Sequence, residues 1–221
     1  MRDEGRDDER RPRPHDEKVN KKYSVIVFDL GNTIIRFDHN ISARKIANLF
    51  NLDSKKIYDT FFDSEITRAF EKGEISPKEF YNRASLLLGV KMPYKDFVAI
   101  WNDIFWEDEE ACELARQLKK NYRLFLLSNV NRLHFEHIEK KFDIIKIFDE
   151  IILSYLVGAT KPDRLIFEDV IRRAGGDRSS LLYIDDREDL IREAISLGID
   201  SIRFEGAAKL REVMAVKGIA I

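Results

Sequence analysis

Cysteine is nearly missing from this sequence. Cys112 stands alone, so neither an internal disulfide nor a cysteine-built zinc site can form. A lone thiol suits a reducing, cytoplasmic interior. Long apolar runs are missing too. Nothing approaches the ~20 residues needed to cross a bilayer, and the charged N-terminus lacks the apolar core of a signal peptide. No membrane partner is expected. An excess of one charge is also lacking: 38 Lys and Arg stand against 40 Asp and Glu, a net charge of −2. That leaves no electrostatic case for nucleic acid as a partner. No internal repeat is visible.

What is present is a chain of 221 residues with 44% hydrophobic content, enough for one sizeable globular domain or a domain with an insertion. Charged residues reach 35%, above the usual quarter or so, as in proteins of warm-growing organisms. Fifteen of them, eight basic and seven acidic, lie within residues 1–22 beside two prolines. Such a segment buries too little apolar surface to offset its ordering entropy, so a disordered charged tail is expected there.

The first apolar run, 23–30, has strand composition and ends at Asp29-Leu30-Gly31-Asn32. Residues 31–40 read as a turn-rich connection. Helical spacing then dominates to about 105, with segments at 41–50, 54–62, 66–72, 77–88 and 94–105. Ser76-Pro77-Lys78-Glu79 is a strong helix start, with a capping Ser, Pro at the first position and Glu closing the box. The aromatic residues here, Trp101 and Trp106 among them, read as the core of a helical bundle or its interface. From 108 onward the rhythm changes. Strands at 123–128, 150–154, 181–184 and 200–204 alternate with helices, and Cys112 is a small core residue on the first of those helices. Alternation of this kind predicts a doubly wound α/β core around a parallel sheet. The helical segment is then an insertion after the first strand.

Four segments put polar groups at or just beyond a strand end: Asp29, Ser128-Asn129, Lys161 and Asp185-Asp186. Each alone has an ordinary alternative, since Asp, Ser and Asn cap helices and a lysine before proline can sit on a surface. In an open parallel sheet the carboxyl ends of the strands are where ligands bind. Together the four would supply acids for a hard divalent cation and a hydroxyl and amine for an anion. His134 and His137, three apart on a predicted helix, lack suitable partners for a metal and read as solvated.

Phe28-Asp29-Leu30-Gly31-Asn32-Thr33, Leu127-Ser128-Asn129, Gly158-Ala159-Thr160-Lys161-Pro162-Asp163 and Tyr183-Ile184-Asp185-Asp186 resemble the four motifs of the haloacid dehalogenase-like hydrolases. The resemblance implies a Rossmann-like core at 23–38 and 107–221, with a helical cap at 39–106. It implies Asp29 as the nucleophile that forms an aspartyl-phosphate, and Lys161 as the residue neutralising charge beside it. Ser128 and Asn129, with Asn32 and Thr33 of the first motif, are implied substrate binders. Asp29, the carbonyl of Gly31, Asp185 and Asp186 are the implied Mg2+ ligands. The implied activity is a Mg2+-dependent phosphatase acting on a small phosphorylated metabolite, in a monomer or homodimer.

Two positions depart from the pattern. Gly31 stands where most phosphatases of the family carry the Asp that acts as general acid and base, a function typically worth ~10²–10⁴ in rate. Leu190 stands where many members carry Asn or Asp. Without a built-in acid, an easily expelled leaving group is favoured, so a sugar phosphate esterified at the anomeric oxygen, or another small activated phosphomonoester, is the expected substrate. Asp38 or His39, where the chain enters the insertion, could replace the acid, or could simply be hinge residues. A non-catalytic relative that binds a phosphorylated ligand or a protein, and a metal-independent haloacid dehalogenase, are the alternative functions.

Overall fold

Strand β1, Val25–Phe28, is the centre of the molecule: all four residues are buried. In the computed structural model, which describes residues 22–62 and 64–221, β1 is followed by the short strand β2, Ile35–Phe37. Five helices come next: α1 His39–Phe50, α2 Ser54–Phe62, α3 Glu65–Glu71, α4 Pro77–Leu88 and α5 Tyr94–Asn102. Strand β3, Phe105–Glu107, then returns the chain to the sheet domain. There α6 Glu109–Lys119, β4 Arg123–Ser128, α7 Arg132–Lys141, β5 Glu150–Leu153, α8 Ser154–Val157 and α9 Arg164–Ala174 lead to β6 Leu181–Asp185. The chain ends with α10 Glu188–Ser196, β7 Asp200–Arg203 and α11 Ala207–Val216. All but Lys22 of the expected charged tail lies outside the described residues.

The main sheet has the order β5-β4-β1-β6-β7, and every neighbouring pair is parallel. The chain builds outward from β1 on one side and then crosses to β6 on the other. Its topological switch point is therefore the carboxyl end of β1, where such sheets open a crevice. The apolar runs look continuous in sequence because both faces are covered, yet successive side chains enter different cores. Ile26, Phe28, Leu124, Leu126, Leu182 and Ile184 pack with residues of α6, α7 and α11. Val25, Val27, Phe125, Leu127, Leu181 and Tyr183 pack with α9 and α10. Cys112 is buried in the first of these layers.

Helices α1–α5 carry their own core. Phe61, Phe70, Phe80, Phe97 and Trp101 are its largest members, and Leu133 of α7 joins it. The predicted cap of α4 forms, with the Ser76 side chain accepting from the Glu79 amide. Two expectations fail at the junction. Residues 31–40 are not only turns and 94–105 is not all helix. Instead β2 and β3 pair antiparallel, Ile35 opposite Glu107 and Phe37 opposite Phe105. Three-residue strands are too short to display an alternation, and their pairing joins positions about seventy residues apart. Trp106, expected inside, is 47% exposed, because it lies on the outer side of this ribbon while Trp101 is fully buried. Among the described residues no helix is long and apolar enough to cross a membrane.

Asp200 ties the two ends of this domain together. It accepts hydrogen bonds from Lys22 and Lys217, each at 2.9 Å, and from the Tyr23 hydroxyl. Burial alone would raise its carboxyl, but the bonds from Tyr23, Lys22 and Lys217 outweigh that and hold it well below the usual carboxylate range. A depressed folded-state pKa stabilises the fold fully above the unfolded value of ~3.9, and the gain is lost as pH falls through the folded value. Asp200→Asn is expected to lower the urea-unfolding free energy by ~1–3 kcal/mol at pH 7, with the gap to the unmodified protein narrowing below pH ~4.

Candidate active site

Asp29 follows directly on β1, and its amide donates to the Ile184 carbonyl at 2.8 Å, so it continues the sheet register beside Asp185 at the end of β6. Lys161, on the loop between α8 and α9, reaches both. Its Nζ lies 2.5 Å from Asp29 Oδ1, 2.7 Å from Asp185 Oδ2 and 3.3 Å from the Leu127 carbonyl. All three charged residues are buried. Asn129 fixes the lysine's backbone with two bonds, its Nδ2 donating to the Lys161 carbonyl at 2.9 Å and its Oδ1 accepting from the Lys161 amide at 2.7 Å. Asp185 also accepts from the Arg187 amide at 2.9 Å and from the Tyr183 hydroxyl. These contacts hold it although Leu190, buried nearby, has no polar atom to offer.

Asp186 completes a cluster. One oxygen from each of Asp29, Asp185 and Asp186 lies within 4.8 Å of the others. Three carboxylates face a single ammonium, which leaves negative charge uncompensated in a buried place. Burial raises the Asp29 carboxyl, Lys161 pulls it down, and Asp185 pushes it up again. Burial and Asp185 likewise raise Asp186. A hard divalent cation fits this donor set: all the ligands are oxygens, and the charge deficit matches its charge.

Two cavities meet here. A polar one of about 210 Å³ is lined by Asp29, Gly31, Asn32, Lys161, Asp185 and Asp186, among others. A smaller one of about 90 Å³ is lined mainly by Leu30, Phe37, His39, Phe105, Ser128 and His134. Asn129, Gly31, Phe37 and Glu71 border both. The structure thus brings Asp29, Gly31, Asn32, Asn129, Lys161, Asp185 and Asp186 around one space, with Ser128 adjoining it. Thr33 is fully buried, lines neither cavity, and donates to Asp29 Oδ2 at a long 3.5 Å.

Asp38 lines neither cavity. It caps α1, accepting from the Asn40 amide at 2.8 Å. His39 does line the smaller cavity, where burial pushes its imidazole down to about 4, so it is neutral near pH 7. The expectation of a solvated His134 is overturned. It is buried between the sheet domain and the insertion, stacked on Trp101 and bonded to Asn131 and to the Trp101 carbonyl. The near-solvent face read for this helix is covered by the insertion, which only the tertiary fold reveals. His137 is partly buried. Sequence reasoning missed Phe37 and Glu71. Neither sits at a strand end of the main sheet, the one signal used to find the site.

These features define an α/β protein with a buried acid–lysine–acid centre, built for a hard cation and an oxyanion at the switch point of its sheet. The chain belongs to the haloacid dehalogenase-like hydrolases, whose family model matches residues 23–198. D-ribitol-5-phosphate phosphatase of Bacteroides thetaiotaomicron is 27% identical over 198 residues, 86% of this chain and 96% of that protein. The sesquiterpene phosphatase astK of Aspergillus oryzae is 22% identical over 80% of this chain and 87% of its own length. A crystal structure of the HAD-family enzyme BT-2542 from Bacteroides thetaiotaomicron, in complex with magnesium and inorganic phosphate, matches with a TM-score of 0.74. It is 27% identical over 82% of this chain and 93% of that one.

A Cβ at Gly31 would lie 2.8 Å from Phe37 Cε1, so any side chain there requires the ring to shift. Gly31→Ala is expected to destabilise the fold by ~1–3 kcal/mol through overpacking. In a Phe37→Ala background the same change should cost at least ~1 kcal/mol less, because the two residues share one contact. Urea unfolding of the four proteins of the cycle measures both quantities.

Proposed function

We propose that this chain is a Mg2+-dependent phosphatase that hydrolyses a small phosphorylated polyol or sugar through an aspartyl-phosphate on Asp29. The observation that carries the reading is the Lys161 ammonium held between Asp29 and Asp185, at the edge of an open polar cavity. A pure binding protein gains nothing from a carboxylate buried at such cost and aimed at a cavity. A metal-independent dehalogenase has no use for the Asp185–Asp186 pair. The phosphatase names of the relatives, and the magnesium and phosphate in the BT-2542 complex, support the same reading.

The Asp29 carboxylate attacks phosphorus and expels the alcohol, and water then releases phosphate from Asp29. Lys161 opposes the rise that burial gives the Asp29 carboxyl and offsets charge that grows on the phosphoryl oxygens. Asn129 and Ser128 bind those oxygens from the end of β4, and Asn32 does so from the loop after β1. The expected role of Thr33 as a substrate binder gives way to one beneath Asp29, since it is fully buried and lines neither cavity. Asp29, the Gly31 carbonyl, Asp185 and Asp186 would hold Mg2+. When bound, the cation supplies the positive charge that lets a carboxylate approach a phosphate dianion. The helices of residues 39–106 act as a cap over the core formed by 23–38 and 107–221. The cavity beneath them, where Ser128, Asn129, His39 and Glu71 stand beside the apolar lining, takes the rest of the substrate.

A panel of phosphorylated polyols and sugars, assayed with Mg2+ and with chelator, tests the reading. Turnover should require the metal and fall by roughly 10³-fold or more in Asp29→Asn. Metal-independent halide release would select the dehalogenase instead. A folded protein with no turnover on any ester would select the binder.

A further inference from the structure

Position 31 carries no acid, and the Phe37 ring crowds the place its Cβ would take. A proton for the leaving oxygen has to come from another group around the cavity. The acidic residues that line the polar cavity are Asp29, Asp185, Asp186 and Glu71. The first three form the nucleophile and cation cluster. Glu71 belongs to the insertion, at the last turn of α3. It borders the polar and the apolar cavity alike. In a substrate whose phosphoryl group sits at Asp29 and whose carbon skeleton fills the apolar side, the ester oxygen lies at that boundary.

We propose that Glu71 is the general acid and base of this enzyme, an assignment that rests on the phosphatase reading above. As the Asp29 oxygen bonds to phosphorus and the P–O ester bond breaks, the Glu71 carboxyl gives its proton to the departing alkoxide. The carboxylate left behind then takes a proton from the water that attacks phosphorus. That step breaks the Asp29–phosphorus bond, releases phosphate and restores the acid.

The fold holds this residue firmly against the sheet domain. The Ser154 hydroxyl donates to the Glu71 carbonyl at 2.6 Å and accepts from the Val130 amide at 3.0 Å, so one side chain links the end of α3 to the loop that follows Asn129. Two residues on, Gly73 has φ +73, and a Cβ there would lie 2.3 Å from the Tyr155 carbonyl oxygen. Only glycine permits that approach of α3 to α8. Among the described residues no ion pair occupies the Glu71 carboxyl. Burial raises it to about 7, against the opposing pull of Arg187 at the start of α10 and Arg68 on its own helix. The other ionisable groups around the two cavities are Asp29, Lys161, Asp185 and Asp186 on the polar side and the neutral His39 and His134 on the apolar side. A carboxyl that is partly protonated near neutrality serves both half-reactions.

The test compares two esters under saturating Mg2+. Ribitol 5-phosphate releases an ordinary alkoxide that needs a proton, whereas p-nitrophenyl phosphate releases a stable phenolate that does not. Glu71→Gln is expected to lower kcat/KM for the polyol ester by ~10²–10³, and for the aryl ester at least ~10-fold less than that. Glu71→Ala gives the same ratio test if the Gln variant folds poorly. An equal fall on both esters, or no fall on either, overturns the assignment. Asp29→Asn is the control, expected to lose both activities together. If another ester of the panel is the one turned over, it replaces ribitol 5-phosphate in the comparison; unmodified protein that turns over no ester of the panel refutes the phosphatase reading itself, and the role of Glu71 with it.

Discussion

One ammonium group holds this site together. Lys161 is buried with its nitrogen between Asp29 and Asp185, and those two carboxylates end adjacent parallel strands. Removing three charges from water costs several kcal/mol per ion, and a single lysine cannot repay it for two acids with a third alongside. A well-packed apolar cluster would be as stable or more so. The arrangement therefore reads as a function maintained against stability. The hydrophobic layers on both sides of the sheet supply the stabilisation that tolerates it.

Each partner of the lysine is delivered by a different part of the chain, and hydrogen bonds couple the parts. Asp29 is fixed by sheet register through its amide to Ile184. Asp185 is held by Tyr183 and the Arg187 amide. Lys161 comes from a loop whose backbone is clamped by Asn129. A shift of either strand or of the loop would move the charge centre, so the three positions depend on one another. The same coupling reaches the insertion, because Ser154 joins the strand β4 loop to the end of α3.

The sheet domain was legible because its signals are local. Short apolar runs bounded by turns, separated by amphipathic helices, specify a parallel sheet, and polar residues at strand ends mark the edge where ligands bind. Asp29, Asn129, Lys161, Asp185 and Asp186 were all found in this way. What escaped depends on contacts between distant segments. The β2–β3 ribbon has too few residues to show a period, and it forms only because the insertion brings its ends back together. His134 has the spacing of a surface residue, yet the stacked Trp101 ring covers it. Glu71 sits in an ordinary charged helix turn, Phe70-Glu71-Lys72-Gly73. Nothing in that turn says it faces a cavity built by strands on either side of it in the sequence.

Phe37 and Glu71 together change how the absent side chain at Gly31 is to be understood. Seen in the sequence alone, the glycine is a loss. In the fold it is a consequence of packing: the Phe37 ring, paired with Phe105 across the ribbon, lies against the Gly31 backbone and closes the apolar cavity. An acid at position 31 would require that ring to shift. With the acid carried by the insertion, its placement depends on the docking of α3 against α8, which the Ser154 bond to the Glu71 carbonyl and the close approach at Gly73 both fix. The β1 loop is then left to shape the pocket rather than to supply the proton.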